Sequence, residues 1–329
     1  MPANLKQLVE DASDSAGGAR QTRAAARLMS LLESEPHRLP DVYRYLPHDE
    51  WPRPKLVLGL TGAPGSGKST LTDALVAELR QRHPEARIGV IAVDPSSPFT
   101  GGAVLGDRVR MMRHALDPLV YVRSLASRGH LGGLSLGVRG VLRVMGLIGC
   151  EFVLIETVGV GQSEVEIADV ADQVLVVLAP GQGDSIQMLK AGLLEIADLF
   201  AINKADTPGA DRLQQALLST ICMRATDNGA AEAPEVFFTS ATDGTGIQAV
   251  LDELQSRIVN DSAAWQSARD ERVLMEIRDA VFEEARRRLT STLGCDESFT
   301  DPLLRVLTGE LTVGELTQEL FERGFLNAN

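Results

Sequence analysis

The sequence predicts an α/β protein: a doubly wound, mostly parallel sheet with helical extensions at both ends. Three observations carry this expectation. Six short, continuous apolar runs recur between residues 55 and 241, and such runs suit strands buried on both faces of a parallel sheet. Segments with apolar residues at helical spacing lie between them, and strand–helix alternation of this kind implies right-handed crossovers. The two ends of the chain lack such runs and read as helical.

Taken in order, residues 1–50 form an N-terminal helical extension. Leu5, Leu8 and Val9 recur at helical spacing, and Ala24 to Leu32 give a second apolar run. Gly17-Gly18 separates the two, and Pro36, Pro40 and Pro47 are expected to end the region. Residues 51–260 hold the sheet. Its strands are expected in the runs 55–60, 86–94, 151–157, 173–180, 199–206 and 235–241. Leu71, Leu75 and Leu79 keep an i, i+4 stripe that ends at His83-Pro84, and Ile186, Leu189, Leu193 and Ile196 keep another. The stretch from Asp94 to Cys150 is too long for a simple crossover. A further strand within 116–127 and a helix carrying small residues within 131–149 would fill it. Residues 261–329 return to helix: Val273, Ile277, Val281, Ala285 and Leu289 form one series, and a shorter helix covers 314–323. A helix with one apolar face must bury it, so this segment is expected to be a dimerisation arm that makes the protein a homodimer.

Composition excludes several classes. A net charge of −13 argues against non-specific nucleic-acid binding and against an anionic membrane surface. No run of apolar residues is long enough to span a bilayer. The start is acidic and lacks the apolar core of a secretory signal, so the cytoplasm is the expected location. Cys150, Cys222 and Cys295 are far apart with no CxxC spacing, as reduced thiols would be. The five histidines are scattered, with no spacing suited to nickel or zinc.

The chemistry begins at Gly62-Ala63-Pro64-Gly65-Ser66-Gly67-Lys68-Ser69-Thr70. This is GxxxxGK[ST] between a buried strand and an amphipathic helix, the context a phosphate-binding P-loop requires. Glycines let backbone N–H groups turn inward around a β-phosphate, and the helix N-terminus adds a favourable dipole. Lys68 would contact the β- and γ-phosphates, and the Ser69 hydroxyl would ligate Mg²⁺. Asn203-Lys204-Ala205-Asp206 ends a later strand. A carboxylate there accepts from the N1–H and N2–H₂ of guanine, whereas adenine would leave it unpaired. Ser240-Ala241 ends the next strand, where a backbone N–H can meet the guanine O6. Together these features read as a GTPase.

Other residues complete the predicted centre. Glu156 and Gly159, in ETVG, stand where such enzymes carry DxxG: the carboxylate would act on Mg²⁺ through water and the Gly159 N–H would sense the γ-phosphate. Val160 occupies the place of a water-orienting Gln. Gln162, two positions on, could take that role or be a solvated loop residue. Asp94 and Asp107 could approach the metal or the attacking water, or could serve as turn and helix caps. In the segment after 173–180, Gly181 and Gly183 permit movement, and Asp184 is well placed as an N-cap.

With TGAPGSGKST, AVDPSSPFTGGAVLGDR, RSLASRGHLGGLS, ETVGVGQSE, PGQGDSIQ and NKAD in place, the chain closely resembles the MeaB/ArgK family of GTPases over nearly its whole length. The resemblance implies a homodimeric G-protein chaperone of adenosylcobalamin-dependent methylmalonyl-CoA mutase, which gates cofactor loading and protects the mutase from inactivation. It also implies that the segment matching 179–190 is an extra switch contacting the mutase, with Asp184 and Lys190 at the matching positions. The alternative is a kinase or energiser of amino-acid (arginine/ornithine) transport. NKAD speaks against ATP, and no second motif suggests a phosphoryl acceptor. A metallochaperone role lacks the His-rich store many such proteins carry.

Overall fold

The structure is a computed structural model. It describes residues 2–14, 17–46, 53–95, 112–114, 116–127, 133–157, 163–181, 192–228, 234–260, 262–295, 305–306, 308 and 310–322. The chain divides into two compact units, Met1–Arg272 and Val273–Asn329.

The first unit is built on a seven-stranded sheet: β1 (Leu56–Gly62), β2 (Arg87–Pro95), β3 (Val120–Ser127), β4 (Cys150–Thr157), β5 (Gln173–Leu178), β6 (Leu199–Ile202) and β7 (Glu235–Phe238). Their order is β3-β2-β4-β1-β5-β6-β7 and every pairing is parallel. The helices of this unit include α1 (Pro2–Ala12), α2 (Ala19–Ser34), α3 (Leu39–Tyr43), α4 (Lys68–Arg82), α5 (Gly133–Leu147), α6 (Ser163–Glu166), α7 (Leu193–Ile196), α8 (Ala210–Asn228) and α9 (Ile247–Asn260). The helix α10 (Ser262–Cys295) follows, and α11 (Val313–Glu322) lies in the second unit. The strand and helix expected between Asp94 and Cys150 are β3 and α5.

Successive side chains of a strand point to opposite faces, and this splits the core in two. Leu56, Leu58 and Leu60 pack with Leu71, Leu75 and Leu79 of α4 and with Val250, Leu251 and Leu254 of α9. On the other face Val57, Val153, Ile155, Val174 and Val176 pack with residues of α1, α2, α5 and α8. The N-terminal helices thus share the sheet's own core. At Gly140 of α5 an added Cβ would lie 2.9 Å from the Leu32 Cβ of α2, so a small residue sets the close approach of these two helices. Arg123 of β3 adds an ion pair to Glu33 of α2 at 2.5 Å.

Pro36 and Pro40 do not end the helical region as expected. Pro36 opens a 3-10 turn, Pro36–Arg38, and Pro40 sits in the first turn of α3. Proline lacks an N–H that the first turn leaves unused anyway, so it starts helices as readily as it stops them. Pro47 lies outside the described residues. Three apolar runs also extend past their strands: β5, β6 and β7 stop at Leu178, Ile202 and Phe238.

At the amino-terminal edge of the sheet Asp172 collects charge and backbone together. Its carboxylate accepts from Val57 N–H at 2.9 Å and from Arg269 Nε and Nη2 at 3.0 and 2.5 Å, and Arg272 Nη1 lies 3.5 Å away. Arg269 Nη2 also donates to the carbonyls of Pro54 and Lys55, and its guanidinium lies over the Trp265 ring. The start of α10 is thereby pinned beneath β1 and β5. Asp172→Ala leaves a half-buried guanidinium without its main partner, so we expect a loss of about 3–5 kcal/mol in chemical denaturation. A loss under about 1 kcal/mol, the size of an exposed pair, would show that the cluster does not pin this helix.

Candidate active site

In a doubly wound sheet, ligands bind at the carboxyl ends of the strands, where strand order reverses. β1 is that reversal point, with β4, β2 and β3 on one side and β5, β6 and β7 on the other. The loop leaving β1 carries three glycines with positive φ: Gly62 at 137°, Gly65 at 78° and Gly67 at 89°. Two of them also lack room for a side chain. A methyl on Gly62 would overlap the Val177 carbonyl, and one on Gly67 would lie 2.5 Å from Asn203 Nδ2. The turn then delivers Lys68 as the first residue of α4. Lys68 is buried, and its Nζ donates to Gly62 O at 2.6 Å and Ala63 O at 3.0 Å. Ser66, Ser69, Pro64, Gly65 and Thr70 follow the same loop into the helix, Ser66 and Ser69 buried and the other three at or near the surface.

The end of β4 supplies the carboxylate. Glu156 is 1% exposed, and Ser69 Oγ donates to its Oε1 at 2.5 Å. Thr72 Oγ1 reaches Glu156 Oε2 at 3.4 Å and Lys68 O at 3.0 Å. A hydroxyl facing a carboxylate at the foot of a phosphate loop is a hard oxygen donor set of the kind Mg²⁺ takes.

The third wall is the turn after β6. Asn203 is 2% exposed and uses its whole carboxamide. Nδ2 donates to Ser66 O at 2.9 Å and Gly67 O at 3.5 Å, while Oδ1 accepts from Thr239 Oγ1 and from Ala241 N–H, both at 3.3 Å. Lys204 has φ 56° and its Nζ donates to Gly65 O at 2.8 Å. Asp206 is exposed at the end of this turn, and Ser240, next to Ala241 in sequence, is buried. The P-loop, the NKAD turn and the Ser240-Ala241 step therefore form one edge.

Sequence reasoning missed Thr72, Thr239 and Glu164. Thr72 stands four residues after Lys68, on the same helical face, which is a readable signal. Thr239 precedes Ser240 and gives none. Glu164, in α6, is buried, and burial pushes its carboxyl above the ordinary range, with the Lys68 charge offsetting part of the rise. Asp94 lies in β2, opposite Ala126 of β3, and its side chain is outside the described residues. Asp107, Gly159, Gln162, Asp184 and Lys190 also fall outside them. Among the described residues no group of three or more His, Cys, Asp or Glu could hold a metal ion, and no helix is long and apolar enough to cross a membrane.

Comparison with known proteins gives a consistent answer. Residues 26–293 match the family model described as methylmalonyl-CoA mutase-associated GTPase MeaB. A GTPase-named protein of Pyrococcus abyssi is 39% identical over 315 residues, covering 89% of this chain and 95% of that one. GTPase ArgK of Escherichia coli is 35% identical over 269 residues, 78% of each chain. Among solved structures, one described as a LAO/AO transport system kinase superposes with a TM-score of 0.62 at 25% identity, covering 97% of both chains. Loop, turn and relatives converge: the chain belongs to the MeaB/ArgK family and is a P-loop GTPase that hydrolyses GTP.

Proposed function

We propose that this GTPase is a G-protein chaperone of adenosylcobalamin-dependent methylmalonyl-CoA mutase, gating cofactor loading and protecting the mutase from inactivation. The match of residues 26–293 to a family described by its association with that mutase supports this reading most directly. In it, Gly62 to Thr70 cradle the phosphates, with Lys68 on the β- and γ-phosphates. Ser69 and Glu156, with Asp94 and Asp107, hold or orient Mg²⁺, which supplies charge neutralisation at the phosphoryl group. Gly159 senses the γ-phosphate, and Gln162, three positions later in sequence, is the candidate for orienting the attacking water. Asn203, Lys204, Asp206, Ser240 and Ala241 take the guanine. The contact of Ser69 Oγ with Glu156 Oε1 supports the metal assignment; the burial of Asn203 between two loops supports the base assignment.

The second unit supports a homodimer. Leu274, Ile277, Val281 and Phe282 of α10 are exposed, at 66%, 54%, 62% and 66%. Their i, i+3, i+7 and i+8 spacing places them on one helix face, and a second copy of the chain is the occupant we assign. A cytoplasmic location is part of the same proposal. A transport-energising role, suggested by likeness to the structure described as a LAO/AO transport system kinase, is the second reading.

Asp206→Asn should move base preference from GTP towards xanthosine triphosphate, because xanthine offers an acceptor where guanine has an amino donor. The bonds lost to guanine are worth about 1.5–3 kcal/mol each, and unchanged GTP affinity in direct titration would remove Asp206 from the base site. Ile277→Glu with Val281→Glu should convert a dimer to a monomer in sedimentation. A dimer that survives both places the interface elsewhere.

The chaperone reading is tested by turnover. A partner shifts a nucleotide cycle only if it binds the two nucleotide states differently. We expect the mutase to raise steady-state GTP turnover of the wild type, and Asp184→Ala and Lys190→Ala to blunt that rise while leaving intrinsic turnover within a few-fold. Equal stimulation of all three proteins would refute the switch assignment. No stimulation of the wild type would favour the transport reading.

A further inference from the structure

Thr72 places a fully buried hydroxyl beside the carboxylate at the end of β4. It lies one turn of α4 beyond Lys68. Its Oγ1 stands 3.0 Å from Lys68 O and 3.4 Å from Glu156 Oε2, and its one proton serves both acceptors. Ser69 Oγ donates to the other carboxylate oxygen, Oε1, at 2.5 Å. Residues three apart share a helix face, so two hydroxyls of α4 address the two oxygens of one carboxylate.

The bond to Lys68 O does not by itself account for a threonine here. A hydroxyl returned to the carbonyl four residues back slightly destabilises a helix, and a β-branched residue is a weaker helix former than leucine. Burying a hydroxyl also costs free energy that an apolar side chain would not. Beyond Ser69 the other buried residues of α4 are Leu71, Leu75, Val76 and Leu79, so Thr72 breaks an otherwise apolar face. The break falls where Glu156 arrives. Glutamate has one more rotatable bond than aspartate, and its terminal torsion is broad. Holding Oε1 therefore fixes less of the carboxylate plane than it would in aspartate, and a second hydroxyl at Oε2 sets that plane.

We propose that Thr72 is a positioning residue of the metal site: its hydroxyl orients the Glu156 carboxylate, so that Glu156 and Ser69 together present their oxygens to Mg²⁺. Outer partners of this kind orient the groups that hold a metal and tune their affinity for it. The inference rests on the assignment of Ser69 and Glu156 to the metal, and Thr72 acts through Glu156.

The test follows binding of a fluorescent GDP analogue to the full chain as Mg²⁺ is titrated in after chelation. Wild type is compared with Thr72→Val, Thr72→Ser and Glu156→Gln. Thr72→Val keeps the shape and removes the hydroxyl, so the Mg²⁺ concentration at the midpoint should rise about tenfold, the lower end of what outer partners contribute. Binding of the analogue without Mg²⁺ should not change. Thr72→Ser keeps the hydroxyl and should restore the wild-type midpoint. A merely structural Thr72 would lower the melting temperature of the metal-free protein and leave the midpoint in place. That outcome, or a serine variant no better than valine, overturns the proposal. Glu156→Gln separates the two levels of failure. An unchanged midpoint in Glu156→Gln removes the metal assignment and the proposal with it; a raised midpoint there with none in Thr72→Val removes the proposal alone. Thr72→Ala, which puts no methyl beside the carboxylate, carries the same test should Thr72→Val not fold.

Discussion

The carboxamide of Asn203 is where three loops meet. It is buried, it donates to carbonyls of Ser66 and Gly67, and it accepts from Thr239 and Ala241. Those groups belong to the P-loop and to the loop leaving β7, so the phosphate-binding and NKAD parts of the centre cannot shift independently. A partly satisfied amide in that position would be costly, because buried polar groups without partners destabilise. The glycines of the loop follow from the same constraint. Gly67 is held against Asn203 with no space for a Cβ, and Gly62 is pressed on the backbone of β5. The loop is shaped by its neighbours as much as by its own conformational preferences.

Behind this edge the sheet supplies rigidity. β1 is central, and its leucines face α4 and α9 while Val57 faces the N-terminal helices. Gly59, between them, faces Ile167 and Ala171 so closely that a Cβ would sit 2.8 Å from Ile167. The turn that follows α6 is thus packed directly on the strand that carries the P-loop. The end of β4 meets the phosphate loop directly, through the hydrogen bond from Ser69 to Glu156.

The parts of the protein that were legible in the sequence are those whose chemistry is local. GxxxxGK[ST] must be contiguous to wrap a phosphate, and the i, i+4 leucines of α4 are buried as the period implies. The apolar runs located the parallel strands other than β3, which the length of the crossover implied, but they overran β5, β6 and β7. Backbone leaving a sheet to build a site keeps apolar residues for packing while its hydrogen bonds turn elsewhere: Asn203 N–H still bonds Leu178 O, but Ala205 N–H bonds Thr239 O. What the sequence concealed is non-local. Asp172 and Arg269 are 97 residues apart, Thr72 and Glu156 are 84 apart, and no spacing rule joins them. The prolines misled because Pro36 and Pro40 act on the turn they open, which depends on neighbours further along the chain.

The packing of α1 and α2 has a consequence for how the chain is made. These helices are synthesised before the elements they pack on: their apolar face shares one core with strands of the sheet and with α5, which begins only at Gly133. At about 5–20 residues per second of synthesis, a delay of several seconds separates the two. Through that interval Leu28 and Leu32 lack the cover that α5 supplies. Loop closure over such a separation must precede the burial that α5 brings, so α1 and α2 stay open to holding by chaperones or to premature association with other chains until α5 has been made.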